Sequence, residues 1–148
     1  MLDILLIEDD HQHRMLVKRL LEDEGYTVRT AKNGKKGLES YMQRPATVVI
    51  TDIFMPVMDG IEVIRVLSRQ QPRPVMIAMS GGTRIISAQS TLDPAQILGA
   101  QQTLCKPFSR QDLNMALESL LITGVIAAVA VLTKIGYLGR YWSWLYSC

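Results

Sequence analysis

The stretch that most constrains the fold is residues 48–60, which read VVITDIFMPVMDG. It begins with an unbroken run of apolar and β-branched residues at 48–51, which is typical of a strand buried on both faces of a parallel sheet. Asp52 follows directly, and the Pro, Asp and Gly beyond it indicate a loop that turns into a helix. Because open α/β sheets place their sites at the carboxyl ends of the strands, Asp52 is the first candidate functional residue.

Strands and helices alternate along the first 121 residues. Apolar runs predict strands at residues 4–7, 26–29, 48–51, 75–79 and 103–105. Helical spacing and capping residues predict helices at about 11–24, 33–44, 60–67, 94–99 and 109–121, with N-caps at Asp10, Asn33 and Ser109. This alternation predicts an α/β fold with a doubly wound, five-stranded parallel sheet, formed by a single domain over residues 1–121.

Charge is nearly balanced, with 16 Lys and Arg against 14 Asp and Glu. Every acidic residue lies at or before Glu118, so the net charge of +2 comes from Lys134 and Arg140 near the end of the chain. No basic surface large enough for counterion release is indicated, and we expect no nucleic-acid partner.

Polar residues follow four of the predicted strands. Glu8 and Asp9 follow the first, Asp52 the third, Ser80 the fourth and Lys106 the fifth, so a parallel sheet brings them to one edge. Three carboxylates and one lysine leave an excess of two negative charges, which one divalent cation would balance. Carboxylate oxygens favour Mg²⁺, which keeps coordination positions open for phosphate oxygens.

A magnesium ion beside an ionised carboxylate suggests phosphoryl transfer, with Asp52 as the nucleophile that forms an aspartyl phosphate. Lys106 would pair with a phosphoryl oxygen as a point charge. The hydroxyl of Ser80 and the backbone N–H of Gly81 would donate to the other oxygens, since glycine lets the backbone come close.

Two histidines and two cysteines could suggest a different metal centre. His11 and His13 are two residues apart on a predicted helix and face different ways, so we expect both to be solvated surface residues. Cys105 and Cys148 lack metal-ligand spacing and are expected to be free thiols in a cytoplasmic protein, with Cys105 buried in its strand. Residues 1–10 lack the basic start and long apolar stretch of a signal peptide.

Four segments, in this order and at this separation, resemble the receiver domain of two-component response regulators. They are IEDD at 7–10, TDIFMPVMDG at 51–60, MSGG at 79–82 and KPF at 106–108, and the resemblance covers residues 2–121. It implies a flavodoxin-like fold and a phosphoacceptor switch, not an enzyme. It also implies that Asp52 accepts a phosphoryl group from a histidine kinase or a histidine phosphotransfer protein.

The resemblance further implies a ligand set and two phosphate contacts. Its Mg²⁺ ligands would be the side chains of Asp9 and Asp52 and the backbone carbonyl of Phe54, with Glu8 helping, often through water. Ser80 and Lys106 would contact the phosphate, and the Lys106–Pro107 bond would be cis.

One position departs from the family pattern. Many receivers carry an aromatic residue three positions before the lysine, where this chain has Thr103. An aromatic switch is therefore not expected, and we predict that signalling passes through residues 81–99 instead.

Two other functions are compatible with parts of the pattern. An aspartyl-phosphate phosphohydrolase of the haloacid dehalogenase type would need a second Asp two residues after the nucleophile, where this chain has Phe54. A degenerate receiver that acts only as a docking scaffold is disfavoured, because the acid pair, Asp52 and Lys106 are all present.

Residues 122–148 form an apolar, aromatic-rich tail with no recognised output module. Residues 119–133 carry no charge, and the last part of the chain reads YWSWLYSC. The favoured interpretation is a contact with a second copy or a partner protein. Alternatives are membrane association, although fifteen residues are short of the ~20 that a spanning helix needs, and an extension with no selected role.

Overall fold

The computed structural model describes residues 2–81 and 99–120. Five strands are present: β1 Asp3–Ile7, β2 Thr27–Ala31, β3 Val48–Asp52, β4 Val75–Gly81 and β5 Gln102–Lys106. Four helices accompany them in the described part of the chain: α1 His11–Asp23, α2 Gly34–Gln43, α3 Gly60–Leu67 and α4 over residues 110–120. The helix predicted at 94–99 falls almost wholly outside the described residues.

All strand pairs are parallel, and the strand order is β2-β1-β3-β4-β5. This is the flavodoxin-like order, in which the direction of winding reverses between β1 and β3. The predicted fold class is therefore confirmed. The reversal matters for function because it opens a crevice at the carboxyl ends of β1 and β3, where no crossover connection covers the sheet edge.

Both faces of the central strands are buried. Leu5, Ile7 and Val49 belong to one apolar core together with residues of α2 and α3. Ile4 and Ile50 point to the opposite face, since side chains alternate along a strand, and they are also fully buried. Burial on both faces explains why these strands read as continuous apolar runs in the sequence.

The helices begin where their capping residues predict. Asp10 accepts a hydrogen bond from the backbone N–H of His13 at 2.7 Å, and Asn33 caps α2 in the same way. At α4, the Ser109 hydroxyl and the Asp112 carboxylate cap each other's backbone N–H groups, at 3.1 and 2.8 Å. These caps fix the start of each helix relative to the strand end before it.

The backbone divides into two compact units, Met1–Ala116 and Leu117–Cys148. The whole sheet belongs to the first unit, and the tail of the second lies outside the described residues. The predicted boundary between residues 121 and 122 stays a prediction. Among the helices of the described ranges, none is long and apolar enough to cross a membrane.

Candidate functional site

The three predicted acidic residues meet at the carboxyl edge of the sheet. β1 and β3 are paired neighbours, and the pair Ile7 and Thr51 comes immediately before Glu8 and Asp52. Glu8, Asp9 and Asp52 each offer a carboxylate oxygen within 4.8 Å of the others. The strand register therefore brings together residues that are more than forty positions apart in sequence.

Lys106 reaches the same point from the end of β5. Its Nζ lies 2.6 Å from Glu8 Oε2 and 2.5 Å from Asp52 Oδ2. Burial alone would lower the pKa of Lys106, but the hydrogen bonds and charges of Asp52 and Glu8 outweigh that effect and raise the pKa above its usual value. The lysine is accordingly a firmly charged partner of two carboxylates.

Two of the three carboxylates are buried. Glu8 is 1% exposed and Asp52 is 6% exposed, whereas Asp9 is at the surface. Asp52 Oδ1 also accepts the backbone N–H of Phe54 at 3.0 Å. Three acids and one ammonium leave a local excess of negative charge, and an all-oxygen donor set suits a hard divalent cation such as Mg²⁺.

Ser80 and Gly81 lie inside β4, which continues two residues beyond the predicted end at Met79. The register pairs Gly81 with Lys106, and Ser80 is buried. The extension follows from pairing with β5, whose own end at Lys106 is one residue beyond the prediction. Both residues are therefore positioned along the same edge as Asp52, which pairs with Met79.

Gly60 holds the loop after Asp52 close to the strand. Its backbone N–H donates to Ile53 O at 2.9 Å, and a Cβ at this position would collide with the backbone carbonyl of Asp52. No other residue type fits so near the strand end. The glycine of the segment at 51–60 thus has a steric role in shaping the site.

His13 is the residue of this site that sequence reasoning misplaced. We expected a solvated side chain, but His13 Nδ1 lies 2.7 Å from Glu8 Oε2 and the side chain is only 26% exposed. The cap at Asp10 puts His13 in the first turn of α1, and helical side chains point back toward the N-terminus. Because Asp10 could be recognised as the N-cap, the direction of helical side chains was enough to predict that the His13 ring lies near Glu8.

Two smaller expectations have different outcomes. The Lys106–Pro107 bond is cis, as the family resemblance implied. Cys105 is exposed rather than buried. Its strand neighbour Leu104 is buried, and since side chains alternate along β5, the thiol points to the opposite face of this edge strand.

Comparison with known proteins decides the family. The model of the response regulator receiver domain matches residues 4–118. This chain belongs to the receiver domain family. Like other members, it is a receiver of two-component response regulators, and its acidic cluster is compatible with magnesium and an aspartyl phosphate.

Its relatives differ in length. The response regulator receiver protein CpdR of Brucella abortus is 33% identical over 119 residues, covering 80% of this chain and 96% of CpdR. The NtrX-like response regulator of Rickettsia bellii is 28% identical over 120 residues, covering 80% of this chain. Several relatives are much longer than this chain, which spans 24% of the NtrX-like protein and 30% of a protein-glutamate methylesterase from Halobacterium salinarum.

Solved structures agree with the fold. A receiver domain protein from Clostridium thermocellum has a TM-score of 0.76 at 28% identity, covering 86% of this chain and 99% of that one. The chemotaxis protein CheY4 of Vibrio cholerae has a TM-score of 0.73 at 26% identity, covering 80% and 98%.

Proposed function

We propose that this receiver accepts a phosphoryl group on Asp52 from a histidine kinase or a histidine phosphotransfer protein, in a reaction that depends on Mg²⁺. The observation that carries the proposal is the position of Lys106 Nζ, 2.5 Å from Asp52 and 2.6 Å from Glu8. Asp9 completes an acidic group whose charge exceeds that of the lysine.

In the proposed reaction, a carboxylate oxygen of Asp52 attacks the phosphorus of a phosphohistidine. The phosphorus–nitrogen bond breaks, and its electron pair stays on the imidazole nitrogen of the donor. Lys106 turns toward a phosphoryl oxygen, while the Ser80 hydroxyl and the Gly81 N–H donate to the others. Such groups act by positioning and by neutralising charge, which is the main contribution of a protein to phosphoryl transfer.

The proposed metal ligands are oxygen atoms throughout: the side chains of Glu8, Asp9 and Asp52, and the backbone carbonyl of Phe54. When bound there, Mg²⁺ would offset the negative charge of the carboxylates and of the incoming phosphoryl group. The excess of two negative charges supports this assignment, because Lys106 alone leaves it uncompensated.

We propose further that the chain is a cytoplasmic switch and not a turnover enzyme, and that it signals by conformational change and protein contact. The segment at 81–99 and the tail at 122–148 are the proposed routes of output; residues 82–98 and the whole tail lie outside the described residues. The tail is proposed to contact a partner or a second copy. Comparing the detergent-free solubility and mass in solution of the full chain with those of a version ending at Leu121 tests this.

The phosphorylation proposal is tested with acetyl phosphate and MgCl₂ on the full chain, followed by intact-mass measurement. The expected result is a stable gain of one phosphoryl group, lost when the metal is chelated beforehand and absent in Asp52→Asn. A matched control is Asp23→Asn, an acid that pairs with Arg110 at the far end of α1 and should leave the gain intact.

Two results would contradict the proposal. Rapid release of phosphate with no stable adduct would favour the phosphohydrolase. No reaction in a folded, Mg²⁺-saturated protein would favour the docking scaffold.

A further inference from the structure

The carboxylate of Glu8 is held by donors on both of its oxygens. Oε1 accepts the backbone N–H of Asp10 at 3.2 Å. Oε2 is shared by Lys106 Nζ at 2.6 Å and His13 Nδ1 at 2.7 Å. With 1% of its surface exposed, Glu8 depends on these protein groups instead of on solvent.

The imidazole of His13 is fixed in place from two directions. On one side, the cap at Asp10 sets the backbone of the first turn of α1. On the other, the ring packs edge-on against Phe108, with centroids 5.5 Å apart and planes at 77°. Phe108 follows Lys106 by two residues, so one short segment supplies both the lysine and the ring that orients His13.

The two carboxylate oxygens of Glu8 differ in how many hydrogen-bond acceptor positions remain free. Each carboxylate oxygen has about two lone-pair positions. Lys106 and His13 fill those of Oε2, whereas Asp10 occupies one position of Oε1 and leaves the other open. Oε1 is therefore the oxygen of Glu8 that keeps a free acceptor position, and Glu8 belongs to a group of three carboxylates that each offer an oxygen within 4.8 Å of the others. Donation to Oε2 requires a proton on Nδ1 of His13.

We propose that His13 is a positioning residue of the Mg²⁺ site. Its Nδ1–H holds Oε2 of Glu8, so that Oε1 is presented to the ion directly or through a water. It continues to hold Oε2 when Lys106 turns to a phosphoryl oxygen. The inference rests on the proposed function, and it adds a residue that sets metal affinity without touching the ion. Groups that hydrogen-bond to metal ligands typically change affinity 10–100-fold when removed.

The test measures Mn²⁺ binding to the full chain by electron paramagnetic resonance of the free ion, with Mg²⁺ as competitor. His13→Leu keeps side-chain bulk but removes the donor, and we expect about a tenfold loss of affinity. His13→Asn places an amide donor at a position similar to Nδ1 and should recover most of that loss. The matched control is His11→Leu, whose ring contacts the Arg14 side chain rather than Glu8, and it should bind as the wild type does.

Nitrogen-15 spectra of the His13 ring show which ring nitrogen carries the proton, a property that a role of His13 in packing alone would not determine. A proton on Nδ1 is expected in the metal-free protein, and a ring that carries its proton only on Nε2 would overturn the proposal.

The binding results distinguish a failure of the proposed function from a failure of the proposed role of His13. If the wild type binds neither Mn²⁺ nor Mg²⁺, the proposed function fails. If the wild type binds but His13→Leu binds equally well, or His13→Asn is as weak as His13→Leu, only the role of His13 is overturned.

Discussion

Ionic clusters of opposite sign lie near the two ends of the sheet. Near its amino end, Asp3 Oδ2 accepts a hydrogen bond from Arg29 at 3.2 Å and forms an ion pair with Arg44, also at 3.2 Å, so one carboxylate is shared by two cations. At its carboxyl edge, Lys106 is shared by two buried carboxylates with a third acid nearby. The first cluster has an excess of positive charge, and the second has an excess of negative charge that a metal ion can relieve.

The cationic partners differ as well. Arg29 also donates to the backbone carbonyl of Arg44 at 2.7 Å and to the Ser40 hydroxyl at 3.1 Å, and so links β2 to α2. Lys106 presents a single ammonium on a flexible chain, which can exchange one oxygen partner for another. A planar cation tied to the backbone stabilises one conformation, whereas a lysine between carboxylates suits a site whose occupant changes.

The largest expected difference between the clusters is the cost of removing a cation. Lys106→Met leaves buried Glu8 and Asp52 without their ammonium, and we expect a loss of about 3 kcal/mol in the free energy of unfolding in EDTA. Arg44 is 61% exposed and leaves Arg29 on Asp3, so Arg44→Met should cost less than about 1 kcal/mol. Urea unfolding measures both.

Magnesium should affect the stability of the two variants differently. Saturating MgCl₂ should recover a large part of the Lys106→Met loss, because the ion supplies the missing positive charge, and should leave the Arg44→Met loss unchanged. Equal losses in both variants, with no response to Mg²⁺ in either, would remove the distinction between the clusters.

A smaller effect on stability is expected at two residues with a left-handed backbone conformation, one near each end of the sheet. Gly25, between α1 and β2, has φ +88°, whereas the exposed Val57 in the loop after Asp52 has φ +73°. A left-handed non-glycine residue costs about 1–3 kcal/mol, and glycine costs about 0.5–1 kcal/mol in chain entropy. Val57→Gly should therefore raise stability by about 1 kcal/mol.

The reciprocal change is the control for that prediction. Gly25→Val should lower stability by about 1–2 kcal/mol, since it puts a branched side chain into the same backbone region. Thermal unfolding in EDTA compares the two, and a loss of stability in Val57→Gly would show that the loop conformation carries no strain.

The smallest effect concerns the cap of α4, next to the carboxyl edge. Hydrogen bonds from the backbone N–H and hydroxyl of Ser109 lower the pKa of Asp112 below its usual value. The folded state therefore favours the ionised form, and its contribution to stability is present above the unfolded pKa and is lost as pH falls through the folded pKa. Asp112→Ala should be less stable than the wild type at pH 7.

The pH dependence is what makes that prediction specific. The gap in Tm between Asp112→Ala and the wild type should narrow as the pH is lowered past the usual carboxyl range. A gap that stays constant with pH would mean that the carboxylate charge contributes nothing to the cap.

The sheet and most of the polar residues at its carboxyl edge could be predicted, because the sequence patterns that indicate them lie within short stretches of the chain. Buried parallel strands require apolar runs such as 48–51, and the polar residues after such runs must gather at one edge. Capping residues such as Asn33 are also read directly, since the side chain bonds to its own helix. Glu8, Asp52 and Lys106 could thus be brought together without any knowledge of side-chain conformation.

The errors concern side chains whose surroundings come from distant parts of the chain. His13 contacts Glu8 in its own segment, but its ring is also oriented by Phe108, and periodicity along α1 contains no information on that contact. Cys105 was expected to be buried because it lies within a strand, yet side chains alternate along β5, and Leu104 is buried whereas Cys105 is exposed on the opposite face. The extension of β4 to Gly81 depends on pairing with β5, which the apolar pattern does not report.

The carboxyl edge of the sheet is argued to carry negative charge that a divalent cation relieves. The most direct test is the Tm of the full chain, measured across a MgCl₂ series at constant ionic strength. We predict a rise in Tm that grows with the logarithm of ion concentration above saturation, and a clearly smaller rise in Asp9→Asn, which lacks one carboxylate of the group. A Tm that is the same in EDTA and in saturating MgCl₂ would contradict the account.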